Sequence, residues 1–142
     1  IPLASPDLVV STLSGPHEQL GALLVAATAA AEGWKVTYLG PGLPAEDIAD
    51  TAARVGARVV ALSLGGAPNG RSVSRELQQV RAVLPRGAAV IVEGAAAEVH
   101  GRVIRDAGAL VARDLPAVRA HLGTVRSADA DPAEFQASFT RT

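Results

Sequence analysis

Arg58-Val59-Val60-Ala61-Leu62-Ser63-Leu64-Gly65-Gly66 is the stretch on which the fold turns. From Val59 to Leu64 the side chains are aliphatic except for the hydroxyl of Ser63, and apolar and polar positions do not alternate. Such a strand is apolar toward both faces, the condition of a parallel sheet covered by helices on each side. Two glycines then end it. To either side of this run, four more have the same character: Leu8 to Leu13, Lys35 to Leu39, Ala88 to Val92, and the short Ala109-Leu110-Val111.

Helical spacing fills the intervals. Leu20, Leu23, Leu24, Ala27 and Ala31 share one face of a first helix that Gly33 ends, and this is its expected core face. Ile48, Ala52 and Val55 share a face of a second, which opens at Pro44 with Glu46 and Asp47 in its first turn and closes at Gly56. Val73, Leu77, Val80 and Leu84 repeat until Pro85, and Asn69-Gly70 before them is a turn signal. Val99, Val103 and Ala107 precede Gly108, and Leu115, Val118 and Leu122 follow Asp114, a candidate N-cap. Five strand–helix units imply an α/β fold: a flavodoxin-like, doubly wound, five-stranded parallel sheet in a three-layer sandwich. In such sheets function sits at the carboxyl ends of the strands.

The 142 residues suit one domain, expected over 1–123, with a linker or short terminal helix over 124–142 carrying Phe135 and Phe139. Hydrophobic residues are 49% of the chain but aromatics only 3%, so the core must be built from Ala, Val, Leu and Ile. A formal charge of −1 without a basic block argues against nucleic-acid binding. The absence of Cys excludes disulfides, thiolate metal sites and a cysteine nucleophile. No apolar run reaches membrane-spanning length and no signal peptide is visible, so a cytoplasmic location is expected. The chain starts at Ile1 rather than Met, as a piece of a longer polypeptide or a processed chain would.

The loop after the first strand reads Ser14-Gly15-Pro16-His17-Glu18-Gln19-Leu20-Gly21. It places a histidine at the mouth of the sheet, before a helix N-terminus. Neutral imidazole is a good transition-metal ligand, and an exposed loop histidine is the other reading. Gly21 costs its helix about 1 kcal/mol relative to Ala, a cost that fits close approach of something bulky to the backbone. The third strand ends in Ser63-Leu64-Gly65-Gly66 and the fourth in Val92-Glu93-Gly94-Ala95-Ala96.

These loops resemble those of the cobalamin-binding domain family, whose first-loop signature is Asp-x-His-x-x-Gly. His17 and Gly21 match it, while Gly15 replaces the acid. The stretch Gly33-Trp34-Lys35-Val36-Thr37-Tyr38-Leu39-Gly40-Pro41 looks especially like the cobalamin domains of light-responsive and MerR-type regulators. Trp34 also reads simply as packing at the edge of the sheet. The resemblance implies cobalamin as cofactor (adenosyl, methyl or hydroxo form), His17 as lower axial ligand to cobalt, and a slot for the base and nucleotide tail. It places Gly15, Pro16, His17, Glu18, Gly21, Ser63, Leu64, Gly65, Gly66, Glu93, Gly94 and Ala95 around the cofactor. Ser63 would lie near the base, and Gly94 would let the tail pass the backbone. Glu93 stands where the family has glycine, a carboxylate on the path of a phosphate-bearing tail. The acid that normally orients a metal-bound histidine is missing at Gly15.

The implied function is a sensor or regulatory module, possessing no catalytic residues of its own, that signals through a helical cap, an output domain or self-association. A corrinoid carrier for methyl transfer or mutase chemistry is the alternative, and an interaction domain that has lost its cofactor is a third. A phosphorelay receiver lacks its acidic residues here, and no Gly-x-Gly-x-x-Gly opens a helix. His100 and His121 read as surface residues. Arg71 and Arg75 read as solvated helix residues or as partners of corrin amides or a phosphate.

Overall fold

The computed structural model describes residues 5–13, 19–66 and 69–130. Five strands form one parallel sheet in the order β2-β1-β3-β4-β5: β1 (Asp7–Leu13), β2 (Lys35–Tyr38), β3 (Val59–Leu64), β4 (Ala89–Glu93) and β5 (Leu110–Ala112). This is the expected doubly wound, flavodoxin-like topology. The central strands are apolar toward both sides: every residue of β3 is buried, and so is β1 from Leu8 onward.

The helices are α1 (Gln19–Ala31), α2 (Ala45–Val55), α3 (Gly70–Val83), α4 (Ala95–Val99), α5 (Gly101–Asp106) and α6 (Leu115–Ala130). The alternation of side chains along each strand divides the core in two. Val9, Leu13, Val60, Leu62, Val90 and Val92 meet α2, α3, α4 and α5 on one face. Leu8, Val10, Val59, Ala61 and Ile91 meet α1 and α6 on the other. Full burial of a side chain such as Leu77 or Leu122 is worth about 1.5–3 kcal/mol.

Local chemistry sets the boundaries of the helices. Pro44 is the N-cap of α2, and Gly56 closes that helix in the left-handed conformation (φ 70°). Asn69 does more than turn the chain: its side chain accepts the Arg71 N–H at 2.8 Å and caps α3. Asp114 caps α6 as expected, accepting the Ala117 N–H at 3.0 Å.

Two helical faces depart from the sequence reading. In α1 the residues that meet the sheet are Ala22, Val25 and Ala29, while Leu20, Leu23 and Leu24 face outward with 68%, 48% and 44% of their surface exposed. The helix is apolar on nearly every side, so its pattern has no polar face to orient it, and small residues allow closer approach to the strands. In the fourth unit a break at His100 separates α4 from α5, which leaves Val99 exposed and makes Ile104 the buried anchor. α6 continues through residue 124, where the sequence leads one to expect a linker. Val125 packs against the core there, and Arg126 donates to the Glu32 carbonyl at 2.8 Å. Phe135 and Phe139 lie outside the described residues.

Candidate cofactor site

The chain leaves β1 toward β2 on one side, and β3 lies on the other, so the strand order reverses between the carboxyl ends of β1 and β3. A crevice at that point is where sheets of this kind hold ligands. A pocket of about 320 Å³ opens beside it, lined by Gly21, Ser63, Leu64, Gly65, Gly66, Glu93, Gly94, Ala95 and Ala96. The structure thus brings together Gly21, Ser63 to Gly66 and Glu93 to Ala95 of the residues expected at the site. Gly15, Pro16, His17 and Glu18 lie outside the described residues.

Strand register sets side by side a row of polar residues, of which Ser63 and Glu93 line this pocket. Thr12 pairs with Ser63, and Ser63 with Glu93. Each stands two residues beyond a side chain of the α1/α6 core (Val10, Ala61 and Ile91), so all three point toward that layer. The result is a polar row across three strand ends, with Thr12 and Ser63 buried and Glu93 half-buried. The Ser63 hydroxyl donates to Glu93 Oε1 at 3.0 Å. Thr12 is not among the residues expected at the site; its only signal in the sequence is its position before the end of β1.

The two glycines of the motifs have reasons within the protein itself. A Cβ on Gly21 would collide with the Ser63 hydroxyl, so the bulky neighbour expected at this helix is, in the first place, the sheet's own serine. Gly94 has φ +128° and ψ 164°, and a Cβ there would lie 2.5 Å from the Leu64 carbonyl oxygen. Its glycine allows β4 to turn into α4 hard against the end of β3. Glu93 does not turn away from the pocket; it is the last residue of β4, and its carboxylate lies on the slot side, held by Ser63.

The other candidates fall outside the pocket. Arg71 and Arg75 are exposed on α3, and Arg75 donates to Ser72 Oγ at 3.4 Å. His121 is half-buried with its Nε2 2.8 Å from the Val111 carbonyl oxygen, a contact that ties α6 to β5. Trp34 is core, 4% exposed. Tyr38, at the end of β2, has a buried hydroxyl that finds no hydrogen-bond partner. Among the described residues no group of three or more His, Cys, Asp or Glu could hold a metal ion, and no helix is long and apolar enough to cross a membrane.

Topology and pocket together define a doubly wound α/β domain built to take a ligand at its strand ends. The chain belongs to the B12 binding domain family, which matches residues 6–114. Cobalamin is therefore the cofactor of this domain type. No curated protein matches the chain. Solved structures do: a novel cobalamin-binding protein from Desulfitobacterium hafniense DCB-2 (22% identity, TM-score 0.73, 85% of this chain and 59% of that one) and the monomethylamine corrinoid protein of Methanosarcina barkeri (18% identity, TM-score 0.67, 84% and 57%). The present chain thus spans under two thirds of either protein.

The described residues fit such a ligand in shape. Glycine and alanine leave room beside β3 and β4, as a large, flat cofactor requires. Glu93 adds a carboxylate to the same wall, where it accepts from the Ser63 hydroxyl.

Proposed function

We propose that this chain is the cobalamin-holding part of a sensor or regulatory protein, in which His17 ligates cobalt from below and the upper face of the corrin meets a partner. The observation that carries the proposal is the pocket beside the switch point, at the ends of β3 and β4 and next to the outward leucines of α1. Gly21 lines the pocket, and Leu20 next to it is 68% exposed. A helix whose outer face is apolar offers a surface for a helical cap, an output domain or a second copy. Loss of an upper ligand, by light or by exchange, would then alter contacts beside that surface and shift a two-state assembly. The cobalt chemistry is the cofactor's; the protein supplies position, axial ligation and the surface that reads the change. A cytoplasmic location goes with this reading.

A carrier of corrinoid-bound methyl groups is the second reading, favoured by the likeness to the monomethylamine corrinoid protein. One experiment separates the two. The chain is purified with adenosyl-, methyl- or hydroxocobalamin, and its visible spectrum and oligomeric size are recorded before and after illumination. The sensor reading expects retained corrinoid and a light-dependent change in size. Retention without any change in size favours the carrier, and loss of corrinoid on desalting refutes both. His17→Ala should alter the lower-ligand signature in the spectrum; an unchanged spectrum would rule out His17 as that ligand.

A further inference from the structure

Among the described helices only α1 has no charged residue; every other carries at least one, down to the five-residue α4 with Glu98. The polar side chains of α1 are Gln19 and Thr28, and the Thr28 hydroxyl turns back to donate to the Leu24 carbonyl at 2.8 Å. Away from the sheet stand Leu20, Leu23, Leu24, Ala27, Ala30 and Ala31, all exposed. A single exposed leucine is ordinary, but a continuous apolar face marks a surface that something covers. The charges beyond its C-terminal end are engaged within the chain. Arg119 lies 3.6 Å from the Glu32 carboxylate, and Arg126 donates to the Glu32 carbonyl at 2.8 Å.

The order of side chains along this face selects the partner. Bulky residues fill its first half and small ones its second. If two copies met with their helices parallel, leucines would stand on leucines at one end and alanines on alanines at the other, and the helices would splay. Antiparallel, about a two-fold axis, Leu20 of one copy meets Ala31 of the other and Leu24 meets Ala27. Each large side chain then faces a small one, and the spacing is even along the seam. Charge agrees with this pairing. A face laid against its own copy sets like charges together near the axis, and this face has none to oppose. It equally lacks the charges and hydrogen-bonding groups by which a foreign partner is told from others.

We propose that the outer face of α1 is a self-association surface, on which a second copy of this chain packs its own α1 antiparallel across a two-fold axis between Leu24 and Ala27. The inference rests on the reading of this face as the partner surface of a regulatory module, and it commits the partner to a second copy. A helix of this length is about 20 Å long and about 10 Å across, so the pair buries on the order of 800 Å² in total, at the low end for a specific contact. α6 lies alongside α1 and turns Ala120 and Gly123 outward, small residues that let the second copy approach there too. The dimer is therefore a reversible one, as a switchable assembly requires.

The test is sedimentation velocity of the full chain from dilute to concentrated solution, with and without hydroxocobalamin. A concentration-dependent dimer is expected in at least one of the two states. Leu24→Glu places two carboxylates in the seam and should weaken that dimer at least about hundredfold, with circular dichroism showing the fold retained. Val99→Glu, on an exposed position of the opposite helical layer, should leave it unchanged. Orientation is read separately, because the chain has no Cys of its own. Under mild oxidation Ala27→Cys, near the axis, should form a disulfide dimer. Leu20→Cys should not, since the two positions 20 lie about 16 Å apart along the antiparallel pair. Equal cross-linking of the two Cys variants overturns the antiparallel pairing. A chain monomeric in both states, or a dimer that Leu24→Glu leaves intact, overturns the proposal. A monomer whose Leu24→Cys thiol is shielded from alkylation until residues 131–142 are removed overturns it in favour of the chain's own C-terminal segment. The visible spectrum reports corrinoid binding in the same samples, so corrinoid retained by a monomer refutes this surface and leaves the cofactor reading standing.

Discussion

Replacing Gly94 by alanine is the sharpest probe of how the pocket is built. At φ +128° and ψ 164° the backbone of Gly94 occupies a region open almost only to glycine. Another residue there costs about 1–3 kcal/mol. The new Cβ would also lie 2.5 Å from the Leu64 carbonyl oxygen, where ordinary contact begins at 3.4 Å. Relief requires backbone movement, because the obstacle is a main-chain atom. That movement would pull on the Gly94 N–H, which donates to the Ala112 carbonyl at 2.9 Å. Overpacking of this kind adds about 1–3 kcal/mol, so the expected loss is about 2–6 kcal/mol. With an unfolding entropy of about 2.1 cal/mol/K per residue, a chain of this length loses about 7–20 °C in Tm. Gly66→Ala is the control. The φ of Gly66 is +69°, but a Cβ there would meet nothing within 4 Å. Only the left-handed penalty of about 1 kcal/mol then applies, equivalent to about 3 °C. Thermal unfolding followed by circular dichroism, without ligand, decides the matter. If the two variants melt at nearly the same temperature, the carbonyl contact is not what requires glycine at 94.

Three further outcomes follow from the packing. Val25 is fully buried in α1 and Leu24 is largely outward. Val25→Ala should therefore destabilise by about 1–2 kcal/mol, and Leu24→Ala by less than about 0.5 kcal/mol. The reverse order in denaturant unfolding would mean that α1 presents its leucines to the sheet. Tyr38→Phe removes a buried hydroxyl that has no partner, so Tm should stay level or rise. A loss above about 1 kcal/mol would show that the hydroxyl has a partner in solution. Asp114→Ala removes the cap of α6. It should cost about 1 kcal/mol, read as a drop of about 3 °C in Tm, while Asp114→Asn should keep most of the stability; equal losses in the two would argue against a capping role.

The elements most legible in the sequence were those whose cause is local. Unbroken aliphatic runs such as Val59 to Leu64 marked strands buried on both faces, and five of them separated by helical spacing implied the doubly wound sheet. The stops at Gly56 and Pro85 and the cap at Asp114 depend on a few neighbouring residues, and these boundaries agree with the structure to within a residue or so. The family, too, was legible in the loop and strand motifs, because those motifs are contiguous.

Orientation was not legible where the helix itself has no polar side. α1 is apolar all round, so its leucines and its alanines both make a stripe at helical spacing, and only the sheet beneath selects Ala22, Val25 and Ala29. Nor could spacing reveal that the glycines at 21 and 94 answer to Ser63 and to the Leu64 carbonyl. The same holds for the row of Thr12, Ser63 and Glu93. These residues lie tens of positions apart, and they meet because parallel register sets strand ends side by side. Local pattern was therefore enough for the class of fold and for the family of the domain. Which face of α1 meets the sheet, and that the Ser63 hydroxyl donates to Glu93 close against Gly21, depended on contacts across strands and layers, and those are fixed by packing alone.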